Sequence, residues 1–191
     1  MQDLDYSVLV NREHPLRREY VPNNLHILDD NKDNFHGYLD PELKPMLRLD
    51  IIGDLSTMMQ VAFFDGVEFI VDSGYRSYDY QQKILEHNIM LKGYDAYKTV
   101  ALPGCSEHQT GLAFDIAYFN SGFYNDKVLE TDEAVRWLIE NGPQFGFILR
   151  YPKGKEEVTG FSFEPWHYRY VGKELAMTLA RKKITLDEYY K

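Results

Sequence analysis

Residues 103–118 read PGCSEHQTGLAFDIAY and place an aspartate inside a run that is otherwise apolar. Small and large side chains alternate along GLAFDIAYF, as they do along a β-strand, and Asp115 lies between Phe114 and Ile116. A buried carboxylate is costly in free energy unless it is paired, hydrogen-bonded or bound to a metal ion. This stretch therefore predicts a strand that carries a charged group in need of a partner.

The same stretch contains a histidine that could share a ligand with this aspartate. His108 lies seven residues before Asp115, and Gly111 between them permits a turn of the chain. One imidazole and one carboxylate could then meet at a single metal ion. The alternative is a surface histidine together with an aspartate that accepts a hydrogen bond from a neighbouring backbone N–H.

A second stretch, FSFEPWHYRY at residues 161–170, adds the other groups that a catalytic zinc site needs. Such a site has three protein ligands, an open fourth position and a nearby base. The candidate ligands are His108, Asp115 and His167, and the candidate base is Glu164. The alternative is that Glu164 and His167 lie at the rim of an aromatic cluster.

Strand geometry limits how Glu164 and His167 could share this site. Residues three apart on a regular strand face opposite sides of the sheet. We therefore expect Pro165 to lie at a bend or bulge, where proline is tolerated.

A third stretch, SGYRSYDYQ at residues 73–81, places Arg76 just after a predicted strand. Its guanidinium presents a fixed fork of donors that suits a carboxylate or an oxyanion. An ordinary surface arginine is the alternative.

The order of predicted elements indicates an α+β fold in a chain of 191 residues, the size of one domain. Residues 1–40 read as irregular. A helix is predicted to open at Asp40-Pro41-Glu42 and to run to about residue 64, with Gly53 as a candidate break. Further helices are predicted at 78–92 (capped by Ser77 and ended by Gly93), from 131–133 to 141–142, and at a capping box over 185–188. Further strands are predicted at 67–75, 145–151 and 165–171.

Composition narrows the class of protein. The net charge of −9 argues against a nucleic-acid binder, which needs clustered lysine and arginine. Cys105 is the single cysteine, which excludes an intrachain disulfide and favours a reducing compartment. The sequence has no signal-peptide core and no 18-residue apolar run, so we expect no membrane insertion. The predicted location is the cytoplasm if the chain is full length and the cell surface otherwise; nothing here indicates an oligomeric state.

Four motifs, in order, carry a resemblance to a known family: SGYRS…Q, PGCSEHQTGLAFD, GFILRYP and EPWHYRYVG. They resemble the signatures of the D-alanyl-D-alanine carboxypeptidase/dipeptidase family of zinc peptidases, in the wider group of lysostaphin-type enzymes and the hedgehog signalling domain. LVNREHPL at residues 9–16 is similar to the segment that opens the family's domain. The resemblance implies one zinc D,D-peptidase domain over residues 1–191, built on a central, mostly antiparallel sheet flanked by helices, with the 1–40 segment packed on it.

The resemblance also implies roles for individual residues. It makes His108, Asp115 and His167 the ligands of one Zn²⁺ per chain. Glu164 becomes the general base, and Arg76 stabilises the developing oxyanion or holds the carbonyl. Ser106 and Gln81 match positions that hydrogen-bond the substrate's terminal residue. Trp166 and Tyr168 either shape the pocket or belong to core and rim packing.

The activity implied is hydrolysis of small peptides that end in D-Ala-D-Ala. VALPGCSEHQ and the absence of an export segment look closest to the bifunctional D,D-dipeptidase/D,D-carboxypeptidases of vancomycin-resistance clusters. Their substrates would be free D-Ala-D-Ala and peptidoglycan precursors with that terminus. Two alternatives remain open: an L,D-carboxypeptidase or endopeptidase acting on cell-wall peptides, and a non-catalytic zinc module that binds peptidoglycan or a protein partner.

Overall fold

The computed structural model describes residues 5–29, 45–120 and 123–191. Its strands are β1 (Leu25–Ile27), β2 (Met46–Arg48), β3 (Ile70–Ser73), β4 (Ala113–Asn120), β5 (Phe123–Asn125), β6 (Phe147–Leu149) and β7 (His167–Tyr170). Its α-helices are α1 (Leu49–Phe64), α2 (Tyr78–Lys92), α3 (Ala96–Thr99), α4 (Glu133–Asn141), α5 (Glu156–Thr159), α6 (Lys173–Lys182) and α7 (Leu186–Tyr189). Short 3₁₀ turns cover Gly93–Asp95, Glu107–Thr110 and Gly142–Phe145.

The main sheet has five strands in the order β3-β4-β7-β6, with β5 paired to β4. Every strand pair in it is antiparallel. Asp115 on β4 lies opposite Ser73 on β3 and opposite His167 on β7. The prediction of a small α+β fold with a mostly antiparallel sheet flanked by helices is confirmed.

Strand alternation divides the side chains of β4 and β7 between the two faces of the sheet. Phe114 and Ile116 of β4 and Tyr168 and Tyr170 of β7 belong to the main apolar core. That core also contains the buried residues of α1 and α4, so these two helices cover this face of the sheet. The intervening residues of β4 and β7, including Asp115, face the other way.

Residues 5–29 pack against the sheet through specific hydrogen bonds. Arg169 donates to the backbone carbonyls of Tyr6 and Val8, both at 2.8 Å. Gln109 donates to the carbonyls of Arg17 at 2.9 Å and Tyr20 at 3.1 Å. Within the described residues, no helix combines the length and apolar character needed to span a lipid bilayer.

Several predicted boundaries agree with the structure. The Ser77 hydroxyl accepts a hydrogen bond from the backbone N–H of Tyr80 at the start of α2, and Gly93 follows the last residue of that helix. The helix expected after residues 131–133 is α4, which ends at Asn141. The capping box over residues 185–188 is present at α7.

The first half of the chain differs from the prediction in three ways. The long helix begins at Leu49, because Met46–Arg48 is a strand whose backbone pairs with β1, and Gly53 lies inside the helix without a break. The predicted helix start at Asp40-Pro41-Glu42 lies outside the described residues, as do residues 30–39. The segment before residue 40 is also less irregular than predicted, since it contains β1.

The capping box at α7 gives a first testable expectation. The Thr185 hydroxyl accepts from the Glu188 N–H, while the Glu188 carboxylate accepts from the Thr185 N–H. Thr185→Ala removes the capping acceptor and should lower the free energy of unfolding by about 1 kcal/mol. Chemical denaturation measures this change. Thr178→Ala is the matched control, because that hydroxyl donates to the Glu174 carbonyl inside α6 and does not accept from a helix-terminal N–H among the described residues; it should leave stability nearly unchanged.

Candidate active site

A sharp turn brings His108 next to the start of β4. Glu107–Thr110 forms one 3₁₀ turn and ends at Gly111, whose φ of 68° lies in the left-handed region that favours glycine. A Cβ at this position would lie 3.0 Å from Leu25 Cδ2 and 3.2 Å from Arg48 Cγ, so the space is also limited. The Gly111 turn expected from the sequence is therefore what returns the chain into β4.

Three buried side chains converge on the face of the sheet opposite the main apolar core. His108 Nε2 lies 3.3 Å from Asp115 Oδ1, and His167 Nδ1 lies 3.0 Å from the same oxygen. One ligand atom from each of these three buried residues lies within 4.8 Å of the other two. The pairing of β4 with β7 aligns Asp115 with His167, which explains how residues 52 apart in sequence meet here.

The hydrogen bonds around these groups fit a zinc site. The Gly74 carbonyl accepts from His108 Nδ1 at 2.7 Å, which leaves the Nε2 lone pair directed at Asp115. A ligating histidine usually donates its other N–H in this way. Two imidazoles and one carboxylate form a donor set typical of catalytic zinc, which in such sites also binds water.

The charges of the three groups depend strongly on one another. Burial lowers the pKa of His108 to about 4, so its imidazole is neutral and can act as a ligand. Burial opposes protonation of His167, but hydrogen bonding to Asp115, the facing carboxylate of Glu107 and the negative charges of Asp115 and Glu164 outweigh it and raise the pKa to about 9. Burial would raise the pKa of Asp115, yet the facing His108 and Arg76 hold it well below its usual value. Ligation needs a neutral His167, so metal binding should release a proton.

Arg76 lies at the same place, beyond the end of β3. Its Nη2 donates to Asp115 Oδ2 at 2.5 Å and to Ser73 Oγ at 2.9 Å. Its backbone N–H donates to the His108 carbonyl at 3.2 Å. The guanidinium is therefore positioned beside the candidate ligands, where it can meet negative charge on a bound molecule.

Glu164 enters the site from the loop that precedes β7. Pro165 and Trp166 form the turn into the strand, and the His167 N–H donates to the Glu164 carbonyl at 3.2 Å. The bend expected at Pro165 is therefore present. Burial raises the pKa of the Glu164 carboxyl to about 7. A carboxylate with this affinity for a proton suits a general base.

These groups line one cavity of about 130 Å³. It contains eight of the nine predicted site residues: Arg76, Gln81, Ser106, His108, Asp115, Glu164, Trp166 and His167. Gln81 donates to the Ala101 carbonyl at 2.9 Å, while its own carbonyl oxygen is buried and has no hydrogen-bond partner among the described residues. The remaining lining comes from Ile84, Thr99, Val100, Ala101, Tyr151 and Phe161.

Of the two roles left open for Tyr168, the pocket role is wrong and the core role is the one observed. Its side chain is fully buried in the main core, where it stacks on Phe114 with 5.9 Å between ring centroids. Tyr168 follows His167 on β7, so it points to the opposite face of the sheet.

Sequence reasoning missed a group of buried charges behind His167. Glu107, Arg150, Arg169 and Asp187 are each at most 4% exposed and are joined by hydrogen bonds of 2.6–2.7 Å. We call these four residues the buried charge cluster. Arg150 lies in GFILRYP, directly after β6, and Arg169 lies in WHYRYV, on β7, so each is a charged residue within a mainly apolar or aromatic run. A charged residue inside such a run needs a buried partner, as Asp115 does, so both arginines carry a signal that is visible in the sequence.

Cys105 lies two residues before the cluster's Glu107. It is 4% exposed, and burial raises the pKa of its thiol. These properties agree with a small packed residue rather than a nucleophile.

Comparisons with known proteins identify relatives within one family. Residues 44–173 match the family described as VanY: D-alanyl-D-alanine carboxypeptidase. The bifunctional D-Ala-D-Ala dipeptidase and D-Ala-D-Ala carboxypeptidase VanXYC of Enterococcus gallinarum is 36% identical over 188 residues, which cover 95% of this chain and 92% of VanXYC. The chain spans 66% of YodJ of Bacillus subtilis (strain 168) and 64% of a D-alanyl-D-alanine carboxypeptidase of Enterococcus faecalis, at 39% and 38% identity.

Solved structures agree on the fold. The LdcB LD-carboxypeptidase superposes with a TM-score of 0.83 at 39% identity, over 95% of this chain and 84% of LdcB. A point mutant of the D,D-pentapeptidase VanY from a VanB-type resistance cassette, in complex with Zn(II), gives a TM-score of 0.78 at 37% identity, over 97% of this chain and 99% of VanY. The matched region contains every residue that lines the cavity, and on this shared fold and sequence the chain belongs to the VanY family of D-alanyl-D-alanine carboxypeptidases.

Proposed function

We propose that this chain is a zinc-dependent D,D-carboxypeptidase and D,D-dipeptidase that removes D-Ala from D-Ala-D-Ala termini of peptidoglycan precursors, with a role in glycopeptide resistance. The observation that carries the proposal is the cavity that His108, Asp115, His167 and Glu164 line together. A bifunctional relative that matches almost end to end supports the pairing of the two activities.

The proposed metal is one Zn²⁺ per chain, held by His108 Nε2, an Asp115 oxygen and His167 Nδ1. These atoms already face one another, and the Gly74 carbonyl fixes the required tautomer of His108. A structure of a VanY with Zn(II) supports the choice of metal. When bound, zinc supplies a Lewis acid that polarises the scissile carbonyl and acidifies water at the site.

Glu164 is the residue that transfers protons in the proposed reaction. Its carboxylate takes a proton from the attacking water and delivers it to the amine that leaves, so that the products separate as a carboxylate and an amine. The raised pKa of about 7 suits a group that must both accept and release a proton near neutral pH. Arg76 places its guanidinium where the carbonyl oxygen gains negative charge, and fixed donors of this kind stabilise the transition state.

Recognition of the terminal residue is assigned to Ser106, Gln81 and Trp166, which line the same cavity. A C-terminal residue carries a free carboxylate, which requires hydrogen-bond donors such as the Ser106 hydroxyl. The cavity of about 130 Å³ is smaller than the roughly 300–1,000 Å³ of a typical drug-sized site. A small side chain such as that of alanine fits this space better than a bulky one.

An L,D-carboxypeptidase acting on cell-wall tetrapeptides is the second candidate, because LdcB superposes at least as well as VanY does. The two also differ in expected location, since soluble precursors are cytoplasmic and wall peptides lie at the cell surface. A non-catalytic zinc module is less well supported, because Glu164 and Arg76 both line the cavity beside the candidate ligands.

A hydrolysis panel with zinc-loaded protein tests this proposal. We expect kcat/KM to be highest for free D-Ala-D-Ala and for a pentapeptide ending in D-Ala-D-Ala. D-Ala-D-lactate should be poor, because replacing the amide N–H with an ester oxygen leaves any buried acceptor at that position unpaired. D-Ala-D-Ser is included to measure how strongly the enzyme discriminates against a second terminus that differs from D-Ala-D-Ala. Preferred cleavage of an L,D-linked tetrapeptide would contradict the D,D assignment and support the alternative.

A further inference from the structure

The buried charge cluster lies directly behind His167. Glu107 Oε1 accepts from Arg150 Nε and from Arg169 Nη1, both at 2.7 Å. Arg150 Nη1 in turn donates to Asp187 Oδ2 at 2.6 Å, which ties α7 to the cluster. Desolvating four charged groups costs free energy that mutual attraction does not always repay in protein interiors. A function for Glu107 would explain why the core carries this cost.

One of the two carboxylate oxygens of Glu107 takes no part in these hydrogen bonds. Both arginines bind Oε1, and Oε2 has no hydrogen-bond partner among the described residues. His167 Nε2 is also buried without a partner there, and it lies 3.7 Å from Glu107 Oε2. This separation is too long for a direct hydrogen bond. Two facing polar atoms that are both unpaired are costly, and a small approach would satisfy both.

The other contacts of His167 fix which edge of its ring faces the cavity. Nδ1 lies 3.0 Å from Asp115 Oδ1, on the side of the candidate ligands. The Tyr151 ring packs against the imidazole, with 5.0 Å between centroids and an angle of 34° between planes. The imidazole of His167 therefore lies against the Tyr151 ring, with its Nδ1 edge towards the cavity and its Nε2 edge towards Glu107.

We propose that Glu107 is a positioning residue, which accepts the Nε2–H of His167 and thereby directs the Nδ1 lone pair at the zinc site. This proposal rests on the proposed function, because it assumes that His167 is a zinc ligand. Arg150 and Arg169 hold Glu107 in place. Gly74 serves His108 in the same way through its carbonyl, but a carboxylate acceptor makes the donating imidazole a stronger ligand than a neutral carbonyl does.

Glu107→Gln tests the proposal with almost no change of shape. Arginine can only donate, so the two arginines take the amide oxygen and the amide NH₂ faces His167 Nε2. Two donors then meet, and His167 must carry its proton on Nδ1, where the metal should bind. We expect zinc affinity to fall about 10–100-fold, as it does on loss of a ligand's hydrogen-bond partner. Competition with a chromophoric chelator measures it.

Asp187→Asn is the matched control. It converts a buried carboxylate of the same cluster to an amide, but its contacts are with Arg150 and Asn11, not His167. We expect a lower Tm and an unchanged zinc affinity. Glu107→Gln binding zinc as tightly as wild type would overturn the proposal. So would Asp187→Asn weakening zinc as much as Glu107→Gln, because the effect would then be general loss of packing.

A measurement on the wild-type protein tests the positioning role of Glu107 even if Glu107→Gln does not fold. In zinc-loaded protein with ¹⁵N-labelled histidine, NMR should show His167 with a proton on Nε2 and none on Nδ1. The reverse pattern would overturn the positioning role while leaving the zinc site intact. A wild type that binds no zinc would overturn the proposed function as well, so the two failures are distinguishable.

Discussion

Glu164→Gln should keep its zinc and lose its turnover. The substitution preserves the shape of the side chain but removes the carboxylate that we propose accepts the proton of the attacking water. Loss of a general base costs roughly 10²–10⁴-fold in rate. We expect kcat for D-Ala-D-Ala to fall by that factor, while metal content by elemental analysis stays at the wild-type value.

Glu140→Gln, an exposed position on α4, is the matched control and should behave as wild type. Two results would contradict the role of Glu164. Near-full kcat in Glu164→Gln would mean that another group is the base. Loss of zinc together with activity would mean that Glu164 is a metal ligand and not the general base.

His167→Ala should abolish tight zinc binding. It leaves only His108 and Asp115, and two ligands are too few for a stable catalytic zinc site. The loss of affinity should exceed the roughly 10–100-fold expected when only a ligand's hydrogen-bond partner is removed. Comparing the zinc affinities of His167→Ala and Glu107→Gln therefore distinguishes a zinc ligand from a positioning residue.

Elemental analysis of purified protein, with chelator titration, measures this effect. His87→Ala is the control, because this histidine is exposed on α2 and is not among the grouped ligands. Equal zinc content in His167→Ala and the wild type would remove His167 from the ligand set.

Alternation along two strands made much of the site predictable. On β4, Asp115 lies between core residues Phe114 and Ile116, and such a pattern marks a charged group that needs a partner. The same reading of His167 required a bend at Pro165, and the turn is there. Local signals at Ser77 and Thr185 located helix starts, because capping depends on residues only three apart.

Features that depend on distant partners were not predictable in this way. Met46–Arg48 is a strand because it pairs with β1, and no signal within residues 46–48 shows this. The role of Tyr168 stayed open between pocket and core because an aromatic ring suits both, and only the face of β7 on which it lies decides between them. The partners of Glu107 lie 43 and 62 residues away, so their pairing appears only in three dimensions.

Cys105 gives this protein a built-in reporter of local motion. The thiol is 4% exposed and immediately precedes Ser106, so a thiol reagent can reach it only when this segment opens. Where opening and closing are faster than modification, the rate of alkylation measures the free energy of that opening. Because the segment continues into Glu107 and His108, the slowing of alkylation by added zinc would measure how strongly the metal ties this part of the chain to the sheet.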